Sequence, residues 1–239
     1  MYSEPYIKKP FQWLKNQEID TVKGLSRVIV ACDLWGVENH YAANLIYRKQ
    51  GSSWNNSIRD TSRACSALAN MGVIFPDAKE WLLNQRDGNS WMDDVYDTAY
   101  ALIALADMNV LDKNGCNWIV ENYSSEWEYT GTTSLVITAL VKQEKLLSTG
   151  EYGNFIQNRA EWILSQANYG GGWVHISTSN LTMQALILAG YGTKLEPHIQ
   201  WLINNFNDNG YWGNDDSKII ATALSLITLA RYQELDLKK

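Results

Sequence analysis

The feature that most constrains this chain is a repeat. Trp81-Leu-Leu-Asn-Gln85 is echoed by Trp13 to Gln17, Trp118 to Asn122, Trp162 to Gln166 and Trp201 to Asn205. The last four of these five strings in chain order are each followed by a polar, often Gly-bearing turn and a second Trp: Trp91, Trp127, Trp173 and Trp212. A degenerate copy, Ile46 to Gln50, leads to Trp54. After each second Trp come a short polar linker, a Thr/Ser-rich start and an Ala/Leu-rich run, as in Asp97-Thr98-Ala-Tyr-Ala-Leu-Ile-Ala-Leu105. The repeat explains why 11 Trp stand beside only 4 Phe. Aligned anchors fall at Asp20-Thr21, Asp60-Thr61, Asp97-Thr98, Thr132-Thr133, Leu181-Thr182 and Ile219-Ile220. A period of this length marks stacked supersecondary units that bury a common core only together. The widest interval carries the polar stretch 146–154, read as a surface loop.

Each unit reads as a helix pair. The Trp-led segment is amphipathic, with charges opposite Trp81 and Leu82, and suits an outer layer. The Ala/Leu-rich segment is apolar nearly all round and suits burial. Pro10, Pro76 and Pro197 precede Trp13, Trp81 and Trp201 by three to five residues. Those are first-turn positions, where a missing N–H costs nothing. Asp20, Asp60, Asp97, Thr132 and Ser177 suit N-caps of the inner helices. No stretch reads as a convincing strand. An open stack of six pairs would expose apolar faces at its ends. The expectation is therefore all-α: a closed barrel of six helix pairs spanning residues 1–239 as one domain, with Ile219 to Ala230 beside Val22 to Val30.

The outer-helix Trp and Gln, the Gly turn and the second Trp resemble the QW-type repeats of triterpene cyclases such as squalene-hopene cyclase. They are also similar to the repeats of the protein prenyltransferase β subunit. The resemblance covers essentially the whole chain and implies the (α/α)6 toroid fold. It implies an isoprenoid or terpenoid substrate, free or as a diphosphate, in a central cavity. It places the reacting groups where the inner helices begin. Helix N-termini carry partial positive charge and free N–H groups, which suit an anionic headgroup there.

The richest segment at that rim is Trp91-Met-Asp93-Asp94-Val-Tyr96-Asp97-Thr98-Ala99. It resembles the class II cyclase motif D-x-D-D-T-A, with Asp94 and Asp97 as its outer carboxylates. Tyr96 stands where that family has its proton donor. A phenol with pKa near ~10 is a poor acid for alkene protonation. Asp93-Asp94-x-x-Asp97 is also a D-D-x-x-D string whose carboxylates share a helix face and suit Mg²⁺ with a diphosphate. No other cofactor is expected. Asp215 and Asp216 lie at the same rim of the sixth unit, opposite Asp94 if the ring closes. Tyr100, Tyr129 and His175 complete the candidate substrate-binding set, because the tyrosines break the repeat pattern. The second Trp residues themselves read as packing between units. Cys32 and Cys65 differ by about 10 Å in depth along their helices, too far apart to share a zinc, so no metal site is expected.

A net charge of −6 argues against nucleic acid as a partner. No apolar run approaches the roughly 20 residues of a membrane span. The partner expected is a small hydrophobic ligand, with peripheral membrane contact allowed. Three scattered Cys and no apolar leader in the first ten residues suit the cytoplasm. Two other readings stand beside the cyclase-like one. The first is a non-catalytic module holding a lipid or peptide. The second is an (α/α) carbohydrate-active enzyme with Asp94 and Asp216 as paired carboxylates.

Overall fold

The computed structural model describes residues 4–236, without the side chains of Asp215 and Asp236. The fold is all-α. Six long helices are α2 (Val22–Leu34), α4 (Ile58–Asn70), α6 (Val95–Asp107), α8 (Thr130–Leu147), α10 (Ile176–Leu188) and α12 (Lys218–Asp236). They alternate with α1 (Pro5–Lys15), α3 (Tyr41–Tyr47), α5 (Pro76–Asn84), α7 (Lys113–Asn122), α9 (Gly153–Ser165) and α11 (Glu196–Asn204). The one strand pair is a two-residue hairpin, Arg86–Asp87 with Ser90–Trp91, in the turn before Trp91. The sequence reading held no strand. The polar stretch expected as a loop over 146–154 is shorter, because α8 continues to Leu147 and α9 begins at Gly153.

The even-numbered helices pack in succession, α2 on α4, α4 on α6 and so on to α12, and α12 packs on α2. They run parallel, because side chains at similar depth bond across the seams from α4 to α12. Arg59 near the start of α4 reaches Asp97 near the start of α6, and Ser66 late in α4 reaches Asp107 at the end of α6. Ser134 of α8 meets Thr182 of α10 at 2.9 Å, and Asn180 of α10 donates to Ser225 of α12 at 3.0 Å. The α12–α2 seam is bridged by the Trp35 indole, which donates to the Leu226 carbonyl at 2.9 Å. Among the odd-numbered helices, α3 packs on α2, α5 on α4, α7 on α6 and α8, α9 on α8 and α10, and α1 on α12.

The second Trp of each unit makes these seams specific. Trp54, Trp91, Trp173 and Trp212 are buried. Their indole N–H groups donate to carbonyls of the preceding outer segment, Leu45, Leu82, Ile163 and Leu202, at 2.7–2.9 Å. Their backbone N–H groups donate to hydroxyls one turn inside the next inner helix: Thr61, Thr98, Ser179 and Thr222. One residue thus ties an outer helix to an inner helix while satisfying its own polar atoms, as a buried indole requires. Trp127 departs from the pattern and is only half buried, 5.6 Å from the Trp118 ring. In the fifth unit, Gly172 at φ +70° lets the backbone pass within van der Waals range of Trp201, where any Cβ would collide.

The same clamp corrects the expected caps. The Thr of Asp60-Thr61 and of Asp97-Thr98 holds a Trp, so those helices begin a turn earlier, whereas Thr21 of Asp20-Thr21 is itself the cap of α2. The side chains that cap are Thr21, Ser57 and Asp94, and the cap positions of α8 and α10 are Tyr129 and His175. Asp20, Asp60, Asp97, Thr132 and Ser177 are not caps. Pro76 and Pro197 do occupy first-turn positions, but Pro5 takes that place in α1 and Pro10 lies inside the helix.

Candidate functional site

Counted from these caps, the inner helices align in layers. Six residues in lie Arg27, Arg63, Tyr100, Leu135 and Leu181. Nine residues in lie Val30, Ser66, Ile103, Thr138 and Gln184. All of these line one cavity of about 520 Å³, together with Ile227 and Arg231 of α12, so every inner helix contributes to its wall. Pockets for small molecules commonly run from about 300 to 1,000 Å³. Tyr96, Tyr129 and Val174 line the mouth at the N-terminal end of the helices and are 39%, 70% and 67% exposed.

The acidic segment sits at that mouth and is occupied by protein partners. Asp94 caps α6, its Oδ1 accepting from the N–H groups of Tyr96 and Asp97 at 2.8 and 2.9 Å. Arg59 donates to Asp94 at 3.0 Å and to both oxygens of Asp97 at 3.0 and 3.1 Å. The bonds to Asp97 hold the Arg59 guanidinium above its ordinary pKa, against desolvation. Arg59 escaped the sequence reading because its partners lie 38 and 35 residues away. Asp93 is exposed in a turn at φ +49°, the place taken by Asn56 at φ +48° in the preceding unit. Asp and Asn tolerate that left-handed conformation, which explains the residue without chemistry. The three aspartates therefore do not converge on an open face.

Tyr96 shares a hydrogen bond of 2.7 Å with Thr132, and its ring lies 5.2 Å from the Arg59 Cζ. Asp216 is exposed in the 3₁₀ turn Asp215–Ser217, and the Asp215 side chain lies outside the described residues. His175 is exposed at the α10 cap position, outside the cavity wall. Of the candidate residues, only Tyr96, Tyr100 and Tyr129 line the cavity.

The interior holds groups that sequence reasoning missed. Arg27, Arg63, Lys142 and Arg231 line the cavity. Lys142 ion-pairs with Asp107, and Arg63 with Asp60 at 3.0 Å. Among the described residues, neither Arg27 nor Arg231 has a carboxylate in ion-pairing range. Burial pulls the pKa of Arg27, Arg231 and Lys142 below ordinary values, opposed at Lys142 by Asp107. Tyr100 lies beside the two forward cations, with Arg63 Cζ 4.4 Å from its ring centroid. Burial pushes the Tyr100 phenol up, but attraction to Arg27 and Arg63 outweighs it and leaves its pKa lowered. The available signal was a lone Arg or Lys inside an otherwise apolar run, as in Leu25-Ser-Arg-Val28 and Leu140-Val-Lys-Gln143.

Cys32, Cys65 and Cys116 are buried, and burial pushes each thiol up to about 12. The thiolate that metal binding or nucleophilic attack needs is therefore scarce near neutral pH. Among the described residues, no helix is long and apolar enough to cross a membrane. No family model and no curated protein matches the sequence.

Proposed function

We propose that the chain is a six-pair α/α toroid that holds an isoprenoid-type ligand in its central cavity and does not cyclise it by alkene protonation. The observation that carries this reading is a single cavity walled by all six inner helices. Val30, Ile103, Leu135, Leu181 and Ile227 supply its apolar surface, and tyrosines stand at its mouth. Apolar walls with a few placed polar groups are what a small amphipathic ligand requires. Cyclisation would need a strong, free acid near the ligand. The outer aspartates are engaged by Arg59, and the group between them is a phenol bonded to Thr132. The same engagement argues against Mg²⁺ at this string, since a guanidinium already neutralises Asp94 and Asp97. A carbohydrate-active site is less well supported, because Trp54, Trp91, Trp173 and Trp212 are buried in seams and offer no sugar platform.

The test is titration of the protein with farnesol, geranylgeraniol and squalene, with mass spectrometry of extracts after incubation. Binding of a prenyl alcohol that Thr138→Trp abolishes, with no cyclic product, supports the reading. Thr138 faces the cavity, so the indole fills it. Binding unaffected by Thr138→Trp would place the ligand elsewhere. Cyclic products lost on Asp94→Asn would restore the cyclase reading.

A further inference from the structure

We infer that the cavity takes a phosphate-bearing amphiphile, with its phosphate or diphosphate held by Arg27 and Arg63 on the α2–α4 wall rather than by the helix N-termini at the mouth. The inference rests on the cavity being a ligand site and specifies which ligand and which way round.

Two independent observations carry it. The first is hydrogen bonding. Among the described residues, five buried side-chain polar atoms have no partner, and four of them are Ser26 Oγ, Arg27 Nε, Ser62 Oγ and Arg63 Nε. All four belong to residues that line the cavity. They occupy the fifth and sixth places past the caps of two adjacent parallel helices, so the two Ser-Arg pairs stand at one depth. Buried polar groups in folded proteins are nearly always bonded. Tyr100 and Asp60 engage part of the two guanidiniums, and both Nε groups and both hydroxyls still lack a protein partner. That donor set suits the several oxygens of a phosphate, which guanidinium groups bind with paired bonds.

The second is charge. Arg27, Arg63, Lys142 and Arg231 bring four positive charges to the cavity lining, and Asp60 and Asp107 answer two of them, which leaves those of Arg27 and Arg231. Glu128, a carboxylate that lines the cavity beside Tyr129, is held by Arg159 at 2.6 Å. An unmatched cation away from water is costly unless an anion joins it. A phosphate monoester carries about −1.5 to −2 near neutral pH and balances the excess, whereas a carboxylate meets only half of it. The opposite wall, α8 and α10, supplies Leu135 and Leu181, where an apolar tail would lie.

The experiment is calorimetric titration of the full chain with inorganic pyrophosphate, farnesyl diphosphate, farnesol and farnesoate. Farnesyl diphosphate is expected to bind about 10- to 100-fold tighter than farnesol, the range of one or two charge-assisted hydrogen bonds. Arg27→Gln and Arg63→Gln should each remove most of that advantage, and Arg59→Gln at the mouth should preserve it. If Arg27→Gln does not fold, Arg63→Gln reads the same wall. Equal affinity for farnesol and its diphosphate overturns the inference while the cavity reading survives. Loss on Arg59→Gln instead of Arg27→Gln overturns it by moving the phosphate to the mouth. Farnesoate as tight as the diphosphate overturns the phosphate assignment, and pyrophosphate as tight as farnesyl diphosphate overturns the amphiphile. If neither farnesol nor its diphosphate binds, the cavity reading fails together with it.

Discussion

The mouth of the cavity and its interior wall both carry clustered charge, and they differ in how that charge is met. At the mouth, Asp94 accepts two backbone N–H groups and a guanidinium, and Asp97 accepts the same guanidinium on both oxygens. Inside, Arg27 has no carboxylate in range among the described residues, and two Ser-Arg pairs present donors without acceptors. The acidic string is conspicuous in sequence because its members are adjacent. Adjacency is also what lets it cap a helix and close on itself. The cations are inconspicuous because each stands alone in an apolar run, and only the packing of the even-numbered helices brings them together. Availability, rather than density of charge, separates a binding wall from a structural one.

Ring closure is the first part of this contrast to break. Deleting residues 216–239 removes α12, including Arg231 and the partner of α2. It should abolish cooperative unfolding and expose apolar surface, with the largest effect of any change considered. Near-ultraviolet circular dichroism through a thermal ramp would show this. A truncated chain that stays monomeric and melts cooperatively would mean that mouth and wall are local features of an open stack.

The seams come next. Trp91→Ala removes a fully buried indole and should cost about 3–5 kcal/mol. Trp127→Ala, at the half-buried irregular unit, should cost about 1–2 kcal/mol. Urea denaturation of both variants compares them directly. Equal losses would show that the indole-to-carbonyl bond of the regular units adds nothing to packing.

Within the mouth, the two outer aspartates should separate. Asp94→Ala loses a cap and should cost about 1–2 kcal/mol. Asp97→Ala loses a partly solvent-screened ion pair and should cost less than about 1 kcal/mol. Neither should weaken binding of a prenyl alcohol. If Asp97→Ala proves the more destabilising, Arg59 rather than the cap holds this corner together.

Much of the architecture was legible in the sequence, for a physical reason: the Trp clamp is local, so its spacing repeats wherever it is used. The pairing of Ile219 to Ala230 with Val22 to Val30 could also be expected, because a closed ring hides both apolar runs. The caps were misplaced because an Asp-Thr pair looks like a helix start, whereas Thr61 and Thr98 bond the backbone of Trp54 and Trp91 one turn inside. The candidate site was less legible. Arg59 and its carboxylates are joined only by packing of α4 on α6. A lone Arg27 in an apolar stretch does not announce in sequence whether it faces solvent or a cavity.

The smallest expected effect is the sharpest test of the mouth. Asp93 sits at φ +49°, a conformation that costs most residues about 1–2 kcal/mol and that Gly adopts freely. Its side chain is exposed, and the equivalent turn position of the preceding unit is Asn56. Asp93→Gly should therefore leave stability within about 0.5 kcal/mol of the parent, because relief of the turn is offset by the larger backbone entropy Gly loses on folding. It should leave prenyl and prenyl-diphosphate binding unchanged, since the interior wall is untouched. Parallel urea titration and calorimetry read both quantities on one preparation. A tenfold loss of affinity with unchanged stability would show that Asp93 touches the ligand, and the contrast between a self-satisfied mouth and an open wall would no longer hold.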